Sequence, residues 1–372
     1  MKYRGTAKLD KKTKNLVKRL KLGDIAFIDH EDIDRVTAES LVDTRVDVVV
    51  NAAKSSSGRY PNLGPLILTE AGIYLLDNVG EECFAGINEG DTVEINKNAV
   101  VRNHKVIARG TALNLDAVKA MMEEAKRNMG KEIEKFAQNT LEFIEKERHF
   151  FEEIDVPATK ISFSRRHALV VARGYDYKED LRTLKAYISE FKPVLIGVDG
   201  GADALLELGY KPDIIIGDMD SVSEKALNGK VELVVHAYSD GRAPGEKRLT
   251  AMGRKHLVFR SPGTSEDIAM LLAYERGAEL IVAVGSHANM MEFLDKGRKG
   301  MASTFLVRLR IGPTLVDAKG VNKLYRSTVK PSYLLVIVLS AIFALLLIIQ
   351  STPAMRDIAR LVILKARLLL GI

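Results

Sequence analysis

The chain contains no tryptophan, a single cysteine and few aromatic residues, 6% of its 372 positions. Scarce rings remove the stacking platforms on which single-stranded nucleic acid is bound. The formal charge is +6, with lysine and arginine spread along the chain and denser only towards its two ends. No basic stripe results, so nucleic acid is not an expected partner. A lone Cys83 excludes an intrachain disulfide framework and a cysteine-rich metal site; it reads as a small buried apolar residue in a reducing compartment. No GxxxxGK[ST] sequence occurs, which excludes motor chemistry of the P-loop kind. The basic opening MKYRGTAKLDKKTKNLVKRL is not followed by the apolar core of a signal peptide, so the bulk of the chain is expected in the cytoplasm.

What is present is more specific. Apolar residues make up 47% of the chain, enough for the cores of two globular domains with connectors. Two acidic turns, Asp199-Gly200-Gly201-Ala202-Asp203 and Gly217-Asp218-Met219-Asp220-Ser221, each follow an apolar run that reads as a buried parallel strand. Both turns then fall at strand carboxyl ends, where open α/β sheets bind ligands. Carboxylates converging there repel one another unless a divalent cation, usually one that also holds a diphosphate, offsets the charge. Taken singly, either turn reads as well as a pair of helix caps.

The pair of motifs, with KPDIIIGDMDSV following DGGAD, resembles the catalytic domain of thiamine pyrophosphokinases over about residues 160–325. That resemblance implies transfer of diphosphate from ATP, with Mg²⁺ and the nucleotide phosphates held at Asp199, Asp218 and Asp220. The cofactor-binding set takes in the rest of these motifs, Gly200, Gly201, Asp203 and Ser221, with Asp267; Asp240 and Arg242, after the run Val231–Val235, lie where a further carboxylate and a phosphate-binding cation reach the same crevice. The family's Lys-Asp-x-Thr-Asp element falls on Gly263-Thr264-Ser265-Glu266-Asp267, where only the last Asp is kept. Its acceptor-side element is replaced by the stretch from Gly285 to Arg298. The phosphate side is thus better preserved than the acceptor side.

A second resemblance runs along essentially the whole chain. The segments GRYPNLGPLILTEAGIYLLDNVG, HAYSDGRAPG and EFLDKGRKGMASTFLVRLRIG, followed by a hydrophobic carboxyl-terminal span, are similar to the SteA family of bacterial cytokinetic proteins. It implies a membrane-attached cell-division factor that works with a partner membrane protein.

The expected fold is α/β, in five parts. An amino-terminal α/β domain covers residues 1–112, with a strand and helix order reminiscent of the swivelling domain of phosphoenolpyruvate-utilising enzymes. A long helix over 113–156, apolar at steps of three and four, serves as a connector or a dimerising element. A pyrophosphokinase-like parallel-sheet domain covers 157–328. A transmembrane helix is expected at 332–350, since residues 333–349 are almost wholly apolar and span about 26 Å at about 1.5 Å per residue. A basic hydrophobic tail, 351–372, follows the break at Thr352-Pro353 and lies at the interface or forms a second partial span. Basic residues flank the span equally, so the positive-inside rule does not orient it. The expected topology, from the absent signal peptide and the ATP-type site, is a single pass with the large domain cytoplasmic.

Several further residues carry alternatives. The loop Ser55-Ser56-Ser57-Gly58-Arg59 suits an anion, or is a structured domain contact. His236 serves acid–base chemistry or packing. Asp295, Arg298, Lys299, Arg308 and Arg310 face the acidic crevice or form a solvated basic side. Two functional readings follow: a scaffold that binds a nucleotide or phosphorylated ligand with Mg²⁺, as a homodimer at the membrane, or an active diphosphotransferase. The altered acceptor element and the apolar span favour the first.

Overall fold

The computed structural model describes residues 2–147, 154–287, 289–295, 297–324 and 331–370. They form two compact units, Met1–Gly320 and Val321–Ile372. The first unit holds two sheets. Strands β1 (Lys2–Leu9), β2 (Asp24–Ile28), β3 (Val48–Asn51) and β4 (Tyr74–Asp77) run parallel side by side. β5 (Thr92–Asn96), β6 (Ala99–Arg102) and β7 (Lys105–Arg109) extend the sheet antiparallel beyond β1, and β8 (Thr111–Leu113) closes the other edge against β4. The central runs DIAFI and VVVN are buried throughout, as strands covered on both faces must be. Cys83 lies in this core, as its isolation in the sequence suggested, and burial pushes its thiol up to about 11.

The second sheet is wholly parallel. β9 (His167–Val171), β10 (Val194–Val198), β11 (Ile214–Gly217), β12 (Glu232–Ala237) and β13 (Leu257–Arg260) are laid down in one direction. β14 (Leu280–Val284) and β15 (Leu315–Asp317) then add on the far side of β9. The order β13-β12-β11-β10-β9-β14-β15 therefore reverses between β9 and β14, and a crevice opens at the carboxyl ends of strands where such a reversal occurs. The apolar helix Ser265–Glu275 is buried against one face, with Ile268, Leu271 and Leu272 fully enclosed.

The helix Leu115–Glu147 joins the two sheets, and 148–153, the end of the expected connector, lie outside the described residues. Val118, Met121 and Met122 pack on the first domain, while Phe136 meets Phe293, Leu294 and Tyr60 in a small core between domains. Asn128 donates to the Gly58 carbonyl at 3.0 Å and Asn139 to that of Lys299 at 3.0 Å. The helix thus binds its own chain along its length. The Ser55–Arg59 loop is a structured loop tied within its own domain: Asp32 accepts from the Ser57 backbone and hydroxyl and from Arg59 at 2.6 Å. Gly130 sits exposed in this helix with nothing within 4 Å of an added Cβ. Gly130→Ala is expected to raise stability by about 0.5–1 kcal/mol in urea melts, since the substitution lowers only the entropy of the unfolded chain.

The second unit contains the helices Pro331–Ser351 and Pro353–Leu370, broken at Thr352. Their apolar side chains are exposed, with Leu339, Phe343 and Leu364 each more than half accessible. Among the described residues no single helix is long and apolar enough to cross a membrane. The pair 335–351 and 353–368, bent by 106°, passes that test together. The tail is helical, with Pro353 at its first position, where proline suits a helix start.

Candidate functional site

The site is built where the second sheet reverses. Beyond β9 the chain turns through Arg173 and Gly174, and beyond β14 through Gly285 and Ser286 to His287. Gly174 and Gly285 pass so closely that a Cβ on Gly174 would stand 2.0 Å from the Gly285 carbonyl oxygen. Beyond β10 stands Asp199, with φ of 46°, and beyond β11 the turn carries Asp218 and Met219, the latter with φ of 63°. Left-handed backbone at two non-glycine residues is costly and is retained where the surrounding structure fixes it. Gly217 explains part of that fixing: a Cβ there would lie 1.9 Å from the Asp199 carboxylate, so only glycine lets the two turns close on one another.

Asp199 keeps one edge accessible, but its carboxylate is densely enclosed. It accepts from the Met219 amide at 3.2 Å and is helped by the Ser265 hydroxyl. Burial, with the neighbouring charge of Asp218 behind it, pushes the Asp199 carboxyl up to about 7. The two carboxylates therefore share a site in which both do not ionise readily. The wall opposite is made by helix Ser265–Glu275 and the β14 turn. His287 Nδ1 lies 2.7 Å from Glu266 Oε1, and the His287 amide donates to Glu266 Oε2 at 3.1 Å. Asp199, Asp218, Ser265, Glu266, His287 and Arg298 line an inner pocket of about 210 Å³. His236 lies beneath, buried, with Nε2 3.0 Å from the Ser261 carbonyl; desolvation lowers its pKa.

The inner pocket adjoins a cleft of about 770 Å³ whose far wall belongs to the first domain. Ala172, Arg173, Asp199, Gly200 and Ser221 line one side; the loops after β1 and β2 line the other. The carboxyl ends of parallel strands from both sheets thus face a common cleft.

The other expected site residues go elsewhere. Asp220 is exposed, and its backbone amide donates to Asp218 Oδ1 at 2.9 Å, a bond by which the Asp218 carboxylate orders the turn. Asp203 accepts from the amide of Ser223 at 2.9 Å and from its hydroxyl, bracing the chain beyond the second acidic turn. Gly201 lies against the β9 backbone. Asp240 and Arg242 pair with each other at 2.6 Å on an exposed turn and do not line the crevice. Asp267 is buried in a capping box with Thr264 and also accepts from Ser303 at 3.1 Å and Thr304 at 3.0 Å, which makes it a helix cap. Of the later cations Arg308 pairs with Asp317 at 2.7 Å and Arg310 with Glu275 at 2.8 Å, whereas Arg298 does reach the pocket. Asp295 turns towards Tyr175 at the domain interface.

Among the described residues no group of three His, Cys, Asp or Glu side chains is arranged to hold a metal ion. The expected set of Asp199, Asp218 and Asp220 is therefore represented by its first two members. Two neighbouring carboxylates, one of them raised in pKa by burial and by the other's charge, fit Mg²⁺, which takes one or two carboxylates and completes its shell with water and phosphate oxygens.

The second sheet is thus an open parallel α/β sheet with an acidic pair beyond β10 and β11, beside its reversal. Comparison with known families agrees: the thiamin pyrophosphokinase catalytic domain matches residues 186–239, and the SteA-like C-terminal domain matches 319–370. A 6-hydroxymethyl-7,8-dihydropterin pyrophosphokinase from Pyrococcus furiosus is 30% identical over 148 residues, covering 32% of this chain and 64% of that protein. The chain thus spans somewhat under two thirds of that relative. A thiamine pyrophosphokinase crystal structure from Bacillus subtilis matches at 22% identity over 41% of this chain and 60% of its own, with a TM-score of 0.26. The particular protein is accordingly similar to SteA-like proteins, with a thiamine pyrophosphokinase-like domain ahead of the SteA-like carboxyl-terminal part.

Proposed function

We propose that this protein is a membrane-attached bacterial cell-division factor that binds a nucleotide or phosphorylated ligand with Mg²⁺ in the two-domain cleft and works as a ligand-responsive scaffold. The observation that carries the reading is the Asp199 and Asp218 pair beyond β10 and β11, with Asp199 at φ of 46° and its carboxyl pushed up by burial and by the charge of Asp218. Asp199 and Asp218 would hold the cation, which when bound neutralises phosphate oxygens. The neighbouring first domain supplies a way for occupancy to alter domain geometry, because any ligand in the cleft touches both domains. The exposed apolar helix pair supports attachment to a bilayer, with the first helix inserted and the bent second helix at the interface. The large unit would then be cytoplasmic, and a second copy or a partner membrane division protein would read the ligand state.

A second reading has its own support. The Glu266 and His287 pair resembles a carboxylate-oriented base beside the pocket, and in an active diphosphotransferase His287 would take the acceptor hydroxyl proton. Calorimetry on the full chain in detergent, with ATP, ADP or GTP and Mg²⁺, followed by analysis for AMP, separates the two. The expected result is binding without AMP release, weakened about tenfold or more in Asp218→Asn. AMP release that disappears in His287→Ala would establish cleavage between the α- and β-phosphates, a transferase where the diphosphate is recovered on an added acceptor hydroxyl and a hydrolase where it is recovered as free pyrophosphate, and no binding by the wild-type chain would remove the nucleotide reading.

A further inference from the structure

The wall that the first domain contributes to the cleft is chemically unlike the acidic one. The segment after β1 brings Lys11, Lys12, Lys14 and Lys18 to the cleft, around the single helical turn Thr13–Leu16. Lys11 is engaged by Glu81 at 2.7 Å and by Asp29 at 3.7 Å. Lys12, Lys14 and Lys18 are exposed and have no ion-pair partner among the described residues. Lys14 lies in this helical turn and Lys18 just beyond it, both on the lining of the same cleft. The same wall carries three carboxylates: Asp29 faces Lys11, Asp34 faces His30 at 3.6 Å and caps the helix Arg35–Asp43, and Glu31 stands beside them, so the lysines outnumber the carboxylates there. The cleft therefore has a cation-seeking end at Asp199 and Asp218 and an anion-seeking end on another domain, nearly 200 residues earlier in the chain.

We propose that the first domain completes the site as an anion clamp, in which Lys12, Lys14 and Lys18 hold a phosphate group of the ligand that lies across the cleft. The inference deepens the reading above and rests on the same cleft. It specifies a ligand that carries a phosphate outside the cation-bound group: a phosphorylated acceptor or effector rather than a neutral alcohol. Ammonium groups on flexible stems suit this role, since each meets a phosphate oxygen as a point charge without demanding bidentate geometry. The arrangement also accounts for the altered acceptor element after β14. With the second wall supplied by the first domain, recognition of the acceptor moves to residues outside the pyrophosphokinase-like sheet.

The test uses the full chain in detergent and inorganic pyrophosphate as the probe, with EDTA present so that no divalent cation contributes. Wild-type protein should bind pyrophosphate, more weakly as salt is raised. Lys12→Gln/Lys14→Gln/Lys18→Gln should lose about tenfold or more in affinity, whereas Asp218→Asn should bind at least as well as wild type. All three lysines are exposed, so the triple variant should melt like the wild type, which separates lost binding from lost folding. Equal affinity in wild type and triple variant, or no pyrophosphate binding by wild type, would overturn the clamp. Pyrophosphate binding that depends on the lysines in a protein that ignores Mg²⁺ and ATP would sustain the clamp and refute the nucleotide reading.

Discussion

Replacing Asp199 by Asn should stabilise the protein at pH 8 in the absence of divalent cations, by an amount on the order of 2 kcal/mol. The backbone there has φ of 46°, a region asparagine tolerates, and an amide oxygen can still accept from the Met219 amide. What the substitution removes is a carboxylate whose ionised form is opposed by burial and by Asp218. The folded-state pKa, about 7, lies above the ordinary value of 3.8, so the native state holds the proton more tightly than the unfolded state. That contribution to stability is fully present below about pH 4 and is lost progressively as pH rises through about 7. Wild type should therefore weaken across this interval, and Asp199→Asn should weaken less. Urea melts of both proteins from pH 4 to 8 measure the difference. Addition of Mg²⁺ with ATP at pH 8 should then raise the stability of wild type and leave the variant where it was. A variant less stable than wild type at pH 8 would mean that Asp199 is a satisfied structural aspartate and that the acidic pair is not strained.

This expectation was only partly legible in the sequence. Hydrophobic runs ending in acidic turns placed β10 and β11, and with them Asp199 and Asp218, because buried parallel strands are continuous apolar segments. The strand β1, KYRGTAKL, was not legible: it is central in its sheet but partly exposed on its faces, so its composition reads as a polar leader. Asp267 was taken for a ligand because it matched a family position, although Thr264-Ser265-Glu266-Asp267 also has the spacing of a capping box, a local signal that decides its role. Asp240 and Arg242 satisfy each other two residues apart, a pairing that geometry settles and composition does not. The lysines after β1 and the Glu266 and His287 pair come together only through the fold. No periodicity connects Lys14 to Asp199; two sheets presenting their strand ends to one cleft do. The loop at Ser55 looked suited to an anion because it gathers hydroxyls and a guanidinium, yet the partner was already within the domain, at Asp32.

Gly201→Ala should be among the most damaging single substitutions in the first unit, lowering stability by about 3 kcal/mol or more and removing ligand binding with it. The glycine begins the helix Gly201–Glu207, directly after the Asp199 turn. A Cβ at this position would lie 1.8 Å from the carbonyl oxygen of Val171 and 3.2 Å from the Cα of Ala172. Both are backbone atoms of the neighbouring strand and its exit, so no rotamer change relieves the clash. To admit one methyl group, the helix must lift from β9, and with it go Asp199 and the turn of Asp218 that closes upon it. Doubly wound nucleotide-binding sheets likewise use a glycine for close packing of helix and strand. The contrast with Gly130→Ala is the useful control: identical chemistry, opposite sign, set only by whether the added carbon meets a backbone or open solvent. Urea unfolding of the two variants side by side measures this. A Gly201→Ala protein with wild-type stability would show that the helix has room to shift, and the second glycine of the DGG turn would then have to be explained by the ligand it faces rather than by the strand behind it.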